Sequence, residues 1–379
     1  MPLIAVGTVV LEQGICRPGW VHTAGSQIVG CGPGAPPQRP DVELPDAVIV
    51  PGFVDIHVHG GGGASYLDGD IAEIMRAAEF HRGHGTTTTL ASLVTAGAAD
   101  LLRGVRALAE ATRDGVIAGI HLEGPWLSAV HCGAHDRTQL RDPTPAEIDA
   151  LLQAGDGSIK MVTLAPERSG SDAATSSLAD AGVVVALGHT DASYEQTRRA
   201  IDLGATVGTH LFNAMRPLHH REPGPALALL EDARVTVELI ADGVHVHPAV
   251  VHATTRAAGA DRVALVTDAT AAAGLGDGEF RLGTTPVDVV DGIAQVRGTS
   301  TIAGSTATMD RLFRTAAGFG SDPDAALIAA VRMTSTTPAR ALGLSDSCLR
   351  VGADANLVVL DGDLEISAVM AQGSWLSDR

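Results

Sequence analysis

Eight short apolar runs, each bounded by Gly, Pro or polar residues, lie between Val54 and Asp268. They are 54–58 (VDIHV), 86–92 (TTTTLAS), 116–123 (VIAGIHLE), 159–166 (IKMVTLAP), 183–189 (VVVALGH), 205–212 (ATVGTHLF), 235–241 (VTVELIA) and 263–269 (VALVTDA). Runs of this length without helical period predict buried strands. Between most of them lie Ala-rich amphipathic stretches such as 71–82 (IAEIMRAAEFHR), 145–154 (PAEIDALLQA) and 193–204 (SYEQTRRAIDLG), which read as crossover helices. Strand and helix alternating eight times predict an α/β fold, a (β/α)8 or TIM barrel. The two ends have a different texture. Residues 1–50 are rich in Val, Gly and Pro without helical period, and 352–375 alternates like strands joined by tight turns. The expected arrangement is a small accessory β-sandwich domain made from 1–50 and 344–379, beside a catalytic barrel of 51–343. Residues 280–300, after the eighth strand, read as an inserted hairpin.

Composition narrows the possibilities. The 379 residues fit one large barrel or two modest domains. With 45% hydrophobic, 18% charged and only 3% aromatic residues, the core must be built from Ala, Val, Ile and Leu, and disorder is excluded. A formal charge of −18 repels polyanions, so nucleic acid is not expected as a partner, while a small anion at a local basic cluster is. No run approaches the length of a membrane span, and MPLIAVGTVV lacks the basic start of a signal peptide, so a cytoplasmic protein without a membrane partner is expected. Cys16, Cys31, Cys132 and Cys348 are scattered without a CxxC pair, which suggests neither a disulfide framework nor a thiolate zinc site.

Barrel enzymes carry their chemistry at the C-terminal ends of the strands. Here those ends hold His57 and His59 (first strand), Glu123 (third), His189 (fifth), His210 (sixth) and Asp268 (eighth). His57 and His59 stand two apart on a strand, so both face the interior and can share a cation. Imidazoles with a carboxylate suit zinc, or iron, cobalt or manganese, leaving a position open for water. Such an ion activates water and polarises a carbonyl, which is hydrolase chemistry. Asp268 is placed to act as general base and acid.

HxH after the first strand, His after the fifth and sixth, and Asp after the eighth resemble the amidohydrolase superfamily, and GADANLVVLD (352–361) is similar to its C-terminal strand. Many members bridge two metals with a carbamylated lysine at the end of strand four. The only lysine here, Lys160, falls near the start of that strand, so the resemblance implies Glu123 as the shared carboxylate instead. Over essentially the whole chain, HLEGPW, GHT (188–190), THLFNAM (209–215), REPG (221–224), ADGVHV (241–246) and TDA (267–269) resemble, in order and spacing, the N-acetylglucosamine-6-phosphate deacetylases. The resemblance implies that Glu123, His189 and His210 hold the principal metal and that Asp268 is the catalytic base and acid. His135 would meet the acetyl carbonyl, His245 the sugar and Ile302 the acetyl group. Asn213, Ala214 and Arg221 would bind the 6-phosphate, with Arg221 supplied by the neighbouring subunit of a homodimer. Some members carry Gln-x-Asn in place of HxH and hold one metal; His57 and His59 imply one or two ions per chain.

Other residues keep two readings. His219 and His220, beside Arg221, either add potential for phosphate or form a solvated loop. His121 is a partner to the ligands or a ligand itself, and Cys132 is a plain lid residue or a metal contact. His81 and His84 read as structural, and Gly60–Gly63, without a following GK[ST], as a flexible loop. Another amidohydrolase activity, and a barrel that has lost catalysis, are the competing functions. The missing strand-four lysine and the intact Asp268 weigh against them.

Overall fold

The computed structural model describes residues 2–67, 69–344 and 347–376. Eight strands follow one another around a sheet in sequence order: β1 (Phe53–Val58), β2 (Thr86–Val94), β3 (Gly119–Glu123), β4 (Ile159–Leu164), β5 (Val184–Leu187), β6 (Ala205–Gly208), β7 (Thr236–Leu239) and β8 (Val263–Leu265). From β2 to β8 the registers are parallel. The circle closes just past β8, where the Asp268 N–H donates to His57 O and the His59 N–H to Ala269 O, each at 2.8 Å.

Crossover helices α1 (Ile71–Gly83), α2 (Ala98–Arg113), α3 (Pro145–Gly155), α4 (Ser171–Asp180), α5 (Tyr194–Asp202), α6 (Gly224–Glu231) and α7 (Pro248–Ala258) separate the strands, and α8 (Met309–Ala317) follows the last. Their starts are written in the sequence. The Thr144 side chain accepts from Glu147 N–H ahead of Pro145 in α3, and Ser193 with Gln196 forms a reciprocal capping box on α5. Six of the strands are shorter than their apolar runs, and three of these stop short of a site residue. β5, β6 and β8 stop before His189, His210 and Asp268, because those residues adopt positive φ (46°, 26° and 49°) and leave the ladder.

Contacts divide the chain into two compact units. One draws on 56–80 and 89–307; the other on the residues before 56, on 81–88 and on those after 307. In the second unit both chain ends enter one eight-stranded sheet, ordered 374–375, 366–371, 357–360, 42–51, 3–11, 19–24 and 27–33, with 14–16 paired to 3–11. Ile28 and Met370, from opposite ends of that path, share one apolar core with Ile4, Val9, Ile49 and Leu357, so the sheet folds over on itself. The region expected to be a hairpin is a three-stranded antiparallel meander: Gly278–Leu282, Thr285–Val290 and Ile293–Val296. Glycine-containing turns at 283–284 and 291–292 reverse the chain twice, with Gly283 and Gly292 at positive φ. The meander and Ala134 share a small apolar core.

Candidate active site

A cavity of about 380 Å³ opens at the C-terminal ends of the barrel strands. Its wall brings together His59, Glu123, His135, His189, His210 and Asp268, and also Asn213, Ala214, His245 and Ile302. His57 lies immediately behind, fully buried, with its Nε2 3.2 Å from His59 Nε2. Arg221 and His220 are outside this wall, exposed and paired with each other at 2.8 Å. Lys160 is also far from the chemistry in role: its Nζ donates to Gly157 O at the opposite end of β4.

Among the described residues two groups of donors could hold a cation, His57–His59–Glu123 and Glu123–His189–His210, each with its ligand atoms within 4.8 Å of one another. Hydrogen bonds behind the rings decide which nitrogen is bare. Nδ1 of His57 faces Glu238 Oε2 at 3.0 Å, that of His59 faces Ser92 O at 3.1 Å and that of His189 faces His131 O at 3.0 Å. Each partner only accepts, so each Nδ1 carries a proton and Nε2 is the nitrogen that faces the cluster, offering a lone pair there once an ion takes the place of its proton. There His189 Nε2 and His210 Nε2 lie 3.0 Å apart, and Glu123 Oε1 is 3.0, 3.1 and 3.3 Å from Nε2 of His189, His210 and His57. Lone pairs crowded against a carboxylate require positive charge between them. A divalent cation fits this donor set.

Electrostatics point the same way. Burial opposes charge on His57, yet the carboxylates of Glu123, Glu238 and Asp268 outweigh it and hold its pKa well above the ordinary value. Burial is likewise overcome at His59, whose hydrogen bonds to Asp268 and Glu123 push it up to about 9. Burial alone would raise the Asp268 carboxyl; His57 and the His59 contact at 3.2 Å instead hold it well below the usual carboxylate range. At His189 burial wins and the ring falls to about 4.

His135 has the opposite tautomer. Its Nδ1 accepts from the Thr95 N–H at 3.2 Å, which places the proton on Nε2, 3.1 Å from Glu123 Oε2. A neutral N–H donor therefore faces the cluster beside a carboxylate acceptor, Asp268. His245 is gripped by Asp242 at 2.7 Å, and this hydrogen bond raises its pKa against the effect of burial. His121 is not in either donor group: both its nitrogens are engaged, with Ser92 Oγ at 2.9 Å and Thr163 Oγ1 at 2.8 Å. Burial and the neighbouring His57 keep its pKa well below the ordinary value. Cys132 is buried, its Sγ directed to Gly133 O, and is also outside both groups. His84 meets Asp310 at 3.2 Å.

Backbone strain collects at the same mouth. His189, His210, Phe212, Ala214 and Asp268 all have positive φ without being glycine, a cost of order 1–3 kcal/mol each that surrounding structure must sustain. Gly304 supports Asp268: a Cβ there would fall 2.8 Å from Asp268 O and 2.6 Å from Thr270 Cγ2. Two features went unseen in the sequence. Leu282 comes into the cavity wall from the inserted meander and Ser300 from the loop after it, because strand pairing across the insert brings distant residues to the mouth. Glu238, the one acid in the apolar run of β7, is fully buried behind His57. Its signal was available as a lone carboxylate on an interior strand position.

The barrel and this donor set define a metal-dependent hydrolase site. The chain belongs to the amidohydrolase family, whose pattern matches residues 48–376. Its structure is similar to N-acetyl-D-glucosamine-6-phosphate deacetylase from Mycobacterium smegmatis, solved as an aspartate-to-alanine mutant in complex with N-acetyl-D-glucosamine-6-phosphate. The two are 55% identical with a TM-score of 0.98, over 99% of this chain and 98% of that one. N-acetylglucosamine-6-phosphate deacetylase of Vibrio furnissii is 34% identical over 87% of this chain and 83% of its own. N-acetylgalactosamine-6-phosphate deacetylase of Escherichia coli O157:H7 is 35% identical over 89% of each. Among the described residues no helix is long and apolar enough to cross a membrane.

Proposed function

We propose that the chain hydrolyses the N-acetyl amide of N-acetylglucosamine 6-phosphate to glucosamine 6-phosphate and acetate, in cytoplasmic amino-sugar catabolism and cell-wall recycling. The observation that carries this reading is a buried acceptor, Asp268, and a neutral N–H donor, His135, facing one cation-seeking cluster. The similarity to deacetylases of this substrate supports it. Glu123, His189 and His210 hold the principal divalent ion, zinc for this donor set, with iron, cobalt or manganese as alternatives; His57 and His59 with Glu123 hold a second. A bound ion polarises the amide carbonyl and eases deprotonation of water. Asp268 takes the attacking water's proton and returns it to the departing amine. His135 donates Nε2–H to the carbonyl oxygen as charge develops there. Ile302 packs on the acetyl methyl, and His245, held by Asp242, contacts the sugar.

The 6-phosphate is bound by the Asn213 side chain, the Ala214 N–H and an Arg221 guanidinium with His220 beside it. Because Arg221 and His220 are exposed and outside the cavity wall of their own chain, we assign them to the site of the partner in a homodimer. The test is acetate release from N-acetylglucosamine 6-phosphate, N-acetylgalactosamine 6-phosphate and their unphosphorylated sugars, with metal measured on the same preparation. N-acetylglucosamine 6-phosphate should be preferred, and its turnover should depend on metal. Equal turnover of the unphosphorylated sugar removes the phosphate site, and preference for N-acetylgalactosamine 6-phosphate replaces the substrate.

A further inference from the structure

We propose that Glu238 is a positioning residue that builds the His57 side of the metal site and locks its register to His210. β7 contributes no ligand to either donor group. Its interior-facing residue, one position before the strand ends, is this carboxylate, 0% exposed and set between Val237 and Leu239. An ionised carboxylate is costly to bury unless its charge is used. Both hydrogen bonds on its Oε2 lead to metal-site residues: His57 donates from Nδ1 at 3.0 Å and His210 from its backbone N–H at 3.1 Å. Its Oε1 has no hydrogen-bond partner among the described residues. One oxygen therefore touches both donor groups from below.

Each contact has a separate consequence. The carboxylate behind His57 fixes the proton on Nδ1, leaves Nε2 bare and makes that lone pair a stronger donor, as an acidic partner does behind a ligating imidazole. The contact to His210 pins an amide whose residue sits at φ 26°, a conformation an L-residue holds only when its surroundings enforce it. Since the same oxygen serves both, the spacing between the His57 ring and the His210 backbone is set by one side chain. Serine or threonine in place of this acid would reach neither partner. The acid works through the ligands rather than on substrate.

The experiment measures ion affinities of the full-length protein by competition with a chelator, using zinc, for the parent, Glu238→Gln, His57→Ala and the double variant. Glu238→Gln should weaken the ion at His57–His59–Glu123 by about 10- to 100-fold, the range for losing such a partner, and the Glu123–His189–His210 ion by no more than about 3-fold, because the Gln amide oxygen can still accept from the His210 N–H and the ligand rings are untouched. In the His57→Ala background the same change should cost nothing further. Nitrogen-15 NMR of the zinc-loaded parent should show His57 protonated on Nδ1. That reading needs no variant to fold. The proposal is overturned by unchanged affinities in Glu238→Gln, by a full loss that persists without His57, or by a His57 proton on Nε2. It rests on the two-ion reading. A parent that saturates with one ion defeats that reading, and the His57 proton position then decides the role of Glu238 alone.

Discussion

The barrel interior and the core of the terminal sheet are both buried and both lined by strands, but they are filled with opposite materials. The sheet's core is built on Ile4, Val9, Val21, Ile28, Ile49, Leu357 and Met370, with Thr23 a buried polar residue on the Val21 face of its strand. The barrel interior near its mouth holds His57, Ser92, His121, Thr163, Thr209 and Glu238, each no more than 1% exposed. These are linked side chain to side chain: Ser92 to His121 to Thr163, and Thr163 to Thr209 at 2.9 Å. An apolar core stabilises simply by leaving water, and neighbours of similar volume can replace one another. A polar interior contributes little net stability and specifies position instead, because each group left without its partner is penalised. One unit therefore supplies burial and the other geometry.

That contrast can be broken or sharpened. The largest effect is expected at Asp268→Asn, which should lower turnover by about 10²- to 10⁴-fold, the scale of a positioned acid or base. Its melting temperature in the metal-free protein should fall by no more than a few degrees, since Asn tolerates the left-handed backbone but gives up the charge that His57 and His59 hold in place. A large fall in melting temperature would mean that this residue serves the fold as well. Leu357→Ala should do the converse. Deleting a fully buried side chain should cost about 2–5 kcal/mol in chemical denaturation while the folded fraction keeps its kcat.

A smaller effect is expected at Asp310, which faces His84 at 3.2 Å and Arg314 at 3.1 Å. Burial would raise its pKa, but the His84 and Thr308 hydrogen bonds and the charges of His84 and Arg314 hold it far below the usual range. A depressed carboxylate contributes its stability above its unfolded pKa near 3.9 and loses it as pH falls toward the folded value. Asp310→Asn should therefore cost about 1.5–3 kcal/mol at pH 6, the value of a charge-assisted hydrogen bond. The gap to the parent should begin to narrow below about pH 4 and keep narrowing as the pH falls further toward the folded value. A pH-independent gap would assign the loss to packing. Least of all should change at Thr209→Val, which keeps the volume while Thr163 retains His121 as a partner. We expect less than about 1 kcal/mol by denaturation. A loss of several would show that the polar layer, too, carries stability.

Much of the barrel was legible because its signals are local. The amphipathic patterns of 71–82, 145–154 and 193–204 fix helices within a residue or two, and a ligand type at a strand end needs only its own run to be recognised. Asp268, His189 and His210 were found that way, although their positive φ was not. What stayed hidden depends on pairing across the chain. The meander at 278–296 was read as a hairpin because sequence shows turns more clearly than strand count. Its contribution to the cavity through Leu282 depends on a register no local pattern carries. Glu238 was passed over for a related reason: inside an apolar run, alternation marks it as interior but does not name the imidazole it meets.

The meander also holds the segment that carries His135. Thr285 Oγ1 donates to Ala134 O at 3.0 Å, Thr284 Oγ1 to Asp136 Oδ2 at 3.2 Å, and Val287, Val289 and Ala294 pack with Ala134. None of these groups belongs to either donor cluster. The ion-binding floor is thereby written on the strand ends and the support of the His135 segment on the insert. The strand ends form a fixed floor, and the insert is a brace for one side chain above it. Lengthening, shortening or resurfacing that brace offers lineages of this scaffold, and protein engineers, a way to reset where His135 stands without rebuilding the ligand set beneath it.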